Sequence, residues 1–327
     1  MSVASSHPED SLGGVPAELT LDPVVDGLRA PVVVACSGGA DSLGLLVLAA
    51  AAGLAPIAVH VDHGLRDGSD ADADVVAAAA GALGVEWRSV RVQIDAGGNL
   101  EARARAARYQ ALHDARVELC ATAILVAHTA DDQAETVVMN LLRGSGSAGL
   151  AAMARRRDVV VRPLLHMRRA AVRALVEARG FAIVEDPTNA DQRWRRAWIR
   201  HEVLPMLGRG ADRDLVPILV RQAEMLRSES DLLDGLGDQL LASARSAAAA
   251  PDGEARGVSA GVLNEAPVAI ARRAVRRWLG SPPPSADEVE RVLHVARGES
   301  VGTELAGGRR VRRSGGRLSM ARREELP

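Results

Sequence analysis

Ser37-Gly38-Gly39-Ala40-Asp41-Ser42 lies between two runs of small apolar residues, PVVVA before it and LGLLVLAA after it. Consecutive glycines let backbone N–H groups turn to one side and form an anion nest, and a following helix adds its N-terminal partial charge. The two serines add hydroxyl donors. An ordinary strand-to-helix turn would account for SGG alone, but Asp41 tilts the balance. A carboxylate inside a phosphate nest repels the anion unless a divalent cation lies between them, which points to magnesium at Asp41. A Walker A loop is excluded, because GxxxxGK[ST] is absent and the chain has no lysine at all. This loop does not carry the GxGxxG dinucleotide fingerprint either.

Three further groups could do chemistry. In AHTADDQAET, Asp131 and Glu135 fall one helical turn apart with Asp132 adjacent. Carboxylates clustered at a helix start can bind magnesium or receive an amine, and seen alone they are equally capping and solubility features. In HVDHGLR, His63 lies where it could face a nucleotide and Arg66 could neutralise phosphate; a lone histidine beside an aspartate is otherwise a surface pair. In NLEARARAARYQAL, Arg105, Arg108 and Tyr109 share one helix face, and Tyr109 is the only tyrosine. A solvated arginine-rich face is the plain alternative. Residues 151–200 hold 12 arginines against 5 acidic residues in a chain of net charge −2, an asymmetry that suggests a phosphate-rich partner.

The elements that must position these groups follow a rhythm. PVVVAC, PIAVHV, VEWRSVRV, TAILVAH and VVVRPLL read as strands. Helices DSLGLLVLAAAA, DADADVVAAAAGAL, NLEARARAARYQALHDARVELC (capped by Asn99), DDQAETVVMNLLR and a segment from Met167 to Arg179 alternate with them. Short connections in this alternation predict a parallel sheet flanked by helices, with ligands beyond the carboxyl ends of the strands. Each polar motif begins where a strand ends, so one shared site is expected. Residues 1–28 read as a leader and 29–210 as the catalytic domain. Residues 211–327 read as a smaller, mostly helical domain ending in two short strands. There Arg272, Arg273, Arg276 and Arg277 are candidates for RNA contact or a solvated face, and Trp278 for the core.

At 47% hydrophobic but 2% aromatic, the core must be aliphatic. Two cysteines, Cys36 and Cys120, cannot supply a disulfide framework or a four-cysteine metal site. The polar, acidic start argues against a signal peptide, and the longest apolar run, residues 43–52, is too short to span a bilayer. A soluble cytoplasmic protein with no membrane partner is the economical reading.

The loop resembles the PP-loop of the N-type ATP pyrophosphatases, matching SGGxDS at every fixed position. That resemblance implies the adenine nucleotide α-hydrolase-like fold, and ATP gripped by its β and γ phosphates and cleaved between α and β. VDHGLR, ARxxRY, HxxDDQAET with the following Arg143-Gly144-Ser145-Gly146, and PLL at 163–165 are similar to tRNA(Ile)-lysidine synthases. So are Asp186-Pro187-Thr188-Asn189 and Arg196 with Ile199-Arg200-His201-Glu202. Ala197 departs from the family, which usually has asparagine there. The resemblance covers residues 31–207 and implies ligation of free L-lysine to C2 of the wobble cytidine of a CAU-anticodon tRNA(Ile), with ATP and Mg2+. The base is adenylated first; lysidine, AMP and pyrophosphate result, and the codon read changes from AUG to AUA, methionine to isoleucine. It implies nucleotide binding by residues 37–42 with His63 and Arg66. Asp41, Asp131, Asp132 and Glu135 would be catalytic, and Arg105, Arg108, Tyr109, His128, Arg143, Arg196 and Arg200 would contact lysine or tRNA. A PP-loop tRNA thiolase is the alternative within the class, although many need more cysteines. A nucleotide-binding regulatory domain without catalysis is the alternative outside it. A homodimer is left open.

Overall fold

The structure is a computed structural model that describes residues 15–16, 19–64, 70–94, 100–185, 195–248 and 257–322. Asn99, Arg66, the Asp186–Asn189 motif and most of the leader lie outside the described residues. The chain divides into two compact units, Met1–Met225 and Leu226–Pro327.

In the first unit, β1 (Val32–Ala35), α1 (Ala40–Ala51), β2 (Pro56–Asp62), α2 (Asp70–Leu83), β3 (Trp87–Arg91), α3 (Leu100–Glu118) and β4 (Ile124–Leu125) follow one another. After them come α4 (Ala130–Leu142), α5 (Ser147–Leu150), the edge pair β5 (Arg156–Arg157) and β6 (Val160–Val161), and α6 (Arg169–Ala178). The sheet order is β3-β2-β1-β4-β6-β5, parallel except for the antiparallel β5. Both faces of the central strands β1, β2 and β4 are covered, which is why these read as apolar runs. Val32, Val34, Ala58 and Leu125 meet α1, α2 and α6 on one face; Val33, Val59 and Ile124 meet Leu112 and Ala115 of α3 on the other. Chain order reverses between β1 and β4, whose residues Val33 and Ile124 are partners. The glycine loop leaves β1 and the HTADD segment leaves β4, so both open on the switch point where such sheets bind ligands.

Gly44, buried in the middle of α1, is the close contact of this layer: a Cβ there would lie 2.3 Å from Val172 Cγ1 of α6. The unit continues through α7 (Arg195–Trp198), one π-helical turn (Ile199–Val203) and α8 (Leu204–Ala211). Pro205 sits in the first turn of α8 and offers no N–H, and the Leu204 N–H reaches five residues back to the Ile199 carbonyl.

α9 (Val216–Ser246) is one continuous helix that ends in the second unit. There β7 (Gly257–Ser259), α10 (Ala260–Glu265), α11 (Val268–Leu279), α12 (Ala286–Arg297), β8 (Gly302–Leu305), β9 (Arg309–Ser314) and β10 (Arg317–Arg322) follow. The strands form an antiparallel sheet of order β7-β10-β9-β8, so the two terminal strands expected from sequence belong to a four-stranded sheet. Leu263, Val275, Val292, Val311 and Leu318 fill its core, with Trp278 packed against it. Arg309 is buried and satisfies the carbonyls of Leu279 at 2.6 Å, Ala306 at 3.2 Å and Pro282 at 3.3 Å.

Candidate active site

The loop after β1 is shaped by Ser42. Its buried hydroxyl donates to the Gly39 carbonyl at 2.9 Å and accepts the Ser37 N–H at 3.1 Å, so it braces the turn from inside instead of pointing outward. Gly38 adopts φ +80°, and a Cβ there would meet Val184 Cγ2 at 2.6 Å. Val184 in turn donates its N–H to the Gly38 carbonyl at 3.0 Å. α1 starts at Ala40 with no side-chain cap, leaving its first-turn amides for an anion.

A cleft of about 900 Å³ opens above this loop. Ser37, Gly39, Ala40, Asp41, Ser42 and His63 line it, with Arg105, Arg108, His128, Asp132, Arg196 and Arg200 around them. Burial pushes the Asp41 carboxyl up to about 6, although the Arg169 guanidinium pulls the other way. Its Oδ1 is buried without a hydrogen-bond partner. That oxygen suits one cation ligand, and magnesium characteristically takes one or two carboxylates and fills its shell with phosphates and water. Among the described residues no three His, Cys, Asp or Glu groups assemble into a metal site, so Asp41 is the ligand that the loop itself offers. Burial also lowers His128 to about 3, with Arg162, Arg196 and Arg105 adding to the effect against Asp132, so its imidazole is neutral. His63 is lowered by burial and by Arg108.

The carboxylates of α4 are not free at its start; each is held by arginine. Thr129 and Asp132 form a reciprocal capping box. Asp132 Oδ1 also accepts from Arg169 Nη2 at 2.8 Å, and Arg169 and the Thr129 N–H hold its carboxyl below the usual range against the opposing effect of burial. Asp131 accepts from the Arg169 backbone N–H at 2.7 Å and from Arg168 Nη2 at 3.1 Å. Glu135, only 1% exposed, binds three arginines: Arg200 Nε at 2.7 Å, Arg196 Nε at 3.0 Å and Arg169 Nη1 at 3.3 Å. Arg169 Nε reaches Asp41 Oδ2 at 3.2 Å, joining the glycine loop to α4. On the other side of this cluster a pocket of about 300 Å³ is lined by Asp131, Glu135, Arg168, Arg169, Arg200 and Asp214, with residues of α8.

Arg196 and Arg200, expected against lysine or RNA, line the cleft and also pair with Glu135. Tyr109 supports the neighbouring arginines, with Arg105 and Arg108 guanidinium carbons 5.1 and 5.8 Å from its ring centre. Arg143 is exposed at the C-cap of α4, about 18 Å along the helix from Asp131, and does not line the cleft. In the second unit Arg272, Arg273 and Arg277 pair with Glu290, Asp234 and Asp238, and Arg276 donates to the Pro284 carbonyl. Sequence reading missed Arg168 and Arg169. One signal was present: they stand at the N-cap and first position of α6, where the helix dipole disfavours cations.

Residues 20–207 match the PP-loop domain family, and residues 259–319 match the TilS substrate binding domain. The tRNA(Ile)-lysidine synthase of Nocardia farcinica is 39% identical over 312 residues, covering 92% of this chain and 95% of that relative. That of Rhodococcus erythropolis is 44% identical over 252 residues, covering 77% and 74%. Among solved structures, the U34-tRNA thiolase NcsA from Methanococcus maripaludis with its [4Fe-4S] cluster matches with a TM-score of 0.50 at 19% identity. It covers 67% of this chain and 76% of that one, a likeness of fold alone.

Proposed function

Because this chain belongs to the tRNA(Ile)-lysidine synthase family, built on a PP-loop domain, we propose that it uses ATP to join free lysine to C2 of the wobble cytidine in tRNA(Ile) with a CAU anticodon. One observation carries the reading: the glycine loop with Asp41 and the Asp132 end of α4 line a single cleft at the switch point of the sheet.

ATP lies with its β and γ phosphates against the amides of residues 37–42, in the turn that Ser42 braces. Asp41 would hold magnesium, which would offset the charge of the pyrophosphate leaving group. The cytidine O2 attacks the α-phosphorus, and the bond to the bridging oxygen of the β-phosphate breaks. The lysine ε-ammonium gives a proton to the α4 carboxylate that receives it, the free amine attacks C2, the C2–O bond breaks, and AMP departs. Asp131 and Asp132 are the carboxylates that receive the ammonium, since Glu135 is enclosed by three guanidiniums. Neutral His128 and the arginines at 105 and 108 border the cleft where the nucleotide and the base meet. The exposed Arg143 and the substrate-binding module of the second unit provide for the rest of the tRNA. The product reads AUA in place of AUG and carries isoleucine in place of methionine. Among the described residues no helix is long and apolar enough to cross a membrane.

Pyrophosphate release is the test. Turnover is expected only when ATP, lysine and the CAU-anticodon tRNA are all present, with the RNA gaining one lysine. Release that is independent of lysine, or a sulfur-containing product in place of lysidine, would overturn the reading.

A further inference from the structure

Among the described residues, Arg169 pairs with the nucleotide loop and the carboxylate helix together. Its Nε reaches Asp41 at 3.2 Å, Nη2 reaches Asp132 at 2.8 Å, and Nη1 reaches Glu135 at 3.3 Å. It also lines both the 900 Å³ cleft and the 300 Å³ pocket. Two devices hold it there against the helix dipole. The Asp131 carboxylate accepts the Arg169 backbone N–H, and Gly44 lets α6 close on α1.

We propose that Arg169 couples the two substrates by exchanging partners: it neutralises the carboxylates in the unloaded enzyme, and turns to phosphate when a cationic amine takes its place. The proposal rests on the reading that lysine is the amine. Glu135 keeps Arg196 and Arg200 when Arg169 leaves, whereas Asp132 keeps only its cap and a distant Arg200 at 3.9 Å. Asp132 is therefore the carboxylate most in need of a replacement cation. An ammonium arriving without nucleotide must displace a guanidinium that keeps Asp41 and Glu135 but gains no new anion in exchange for Asp132. With phosphates in the cleft that guanidinium has a partner, and Asp132 becomes available. Each ligand then favours the other, and linkage requires the effect to be reciprocal. Arg169 is thus a positioning residue for both ligands.

The experiment is calorimetric, on the full chain, with lysine titrated in the absence and presence of α,β-methylene ATP and magnesium, which binds but cannot be cleaved between α and β. The wild type is expected to bind lysine about 5- to 150-fold more tightly with the analogue, the usual range of coupling between sites. Arg169→Met is expected to bind lysine without nucleotide more tightly than the wild type does, and to bring the ratio to about one. Arg169→Lys, which keeps the charge, is expected to restore part of it. Thermal unfolding of each variant identifies loss of fold, in which case Arg169→Lys alone decides: a ratio above one in that variant supports the exchange, and a ratio of one overturns it. A wild type with measurable lysine binding but no enhancement overturns the coupling alone, as does an enhancement retained by folded Arg169→Met. No lysine binding at all, with the analogue bound, overturns both the coupling and the lysine assignment.

Discussion

Glu135 illustrates what a single residue type can and cannot reveal. DDQAET read as three available carboxylates, since a helix start suggests solvent and ligands. The arginines that hydrogen-bond to them lie 34 to 65 positions away, which no periodicity encodes. Glu135→Gln keeps the shape but removes the charge that three guanidiniums share. Breaking a buried ion pair costs about 3–5 kcal/mol, and the lower end applies because the arginines keep 25% to 38% of their side-chain exposure. A loss of about 3 kcal/mol in urea unfolding is expected; no loss would mean that the cluster is not what holds α6 and α7 to α4. Asp41 has a different signature. Its carboxyl moves from 3.8 to about 6 in the fold because burial disfavours the charge. The fold therefore favours the proton, so this contribution to stability is present below pH 4 and is lost as pH rises through about 6. A divalent cation needs the ionised form and competes with that proton. Manganese affinity in the presence of ATP analogue should fall as pH drops below about 6, by up to tenfold per pH unit, and Asp41→Asn should flatten the profile. A profile unchanged between pH 5 and 8 would remove Asp41 as the ligand.

At the scale of elements, the central strands and their order of appearance were legible because both faces are buried and the runs are aliphatic. Lengths were not. TAILVAH pairs only at Ile124–Leu125 and VVVRPLL only at Val160–Val161, because the chain leaves the sheet toward the site immediately afterward. β7 was missed since three residues carry no period, and its pairing with β10 spans about sixty residues of sequence. Gly44 was read as an ordinary member of an apolar helix, whereas its lack of a side chain sets the spacing of α1 and α6. Gly44→Val must push Val172 aside, and overpacking of this kind costs about 1–3 kcal/mol. Because α6 starts with Arg168 and Arg169, the loss should exceed stability alone. ATP-analogue affinity is expected to fall in protein that remains folded by circular dichroism. Unchanged affinity at reduced stability would separate the α1–α6 contact from the site.

The charge of the whole molecule decides how it meets RNA. Near-neutral net charge concealed a strongly basic stretch, and the 12 arginines in residues 151–200 suggested as many phosphate contacts. Arg155, Arg168, Arg169, Arg173, Arg196 and Arg200 instead pair with carboxylates of the same unit, so sequence charge overstates the cation offered to solvent. At roughly 0.7 per single-stranded phosphate, all twelve would give a slope of about −8 in log affinity against log salt, and half of them about −4. Arg143 and Arg196 separate the two kinds of arginine. Arg143 is exposed at the far end of α4, so Arg143→Ala should weaken tRNA and reduce the slope by about one, leaving lysine and nucleotide affinity unchanged. Arg196 is turned to Glu135 and Thr136, so Arg196→Ala should lower stability and turnover while the slope stays as it was. Filter binding across 50–200 mM salt measures both. A slope reduced by Arg196→Ala and not by Arg143→Ala would mean that RNA opens the cluster, and that the guanidiniums around Glu135 exchange carboxylate for phosphate when tRNA binds.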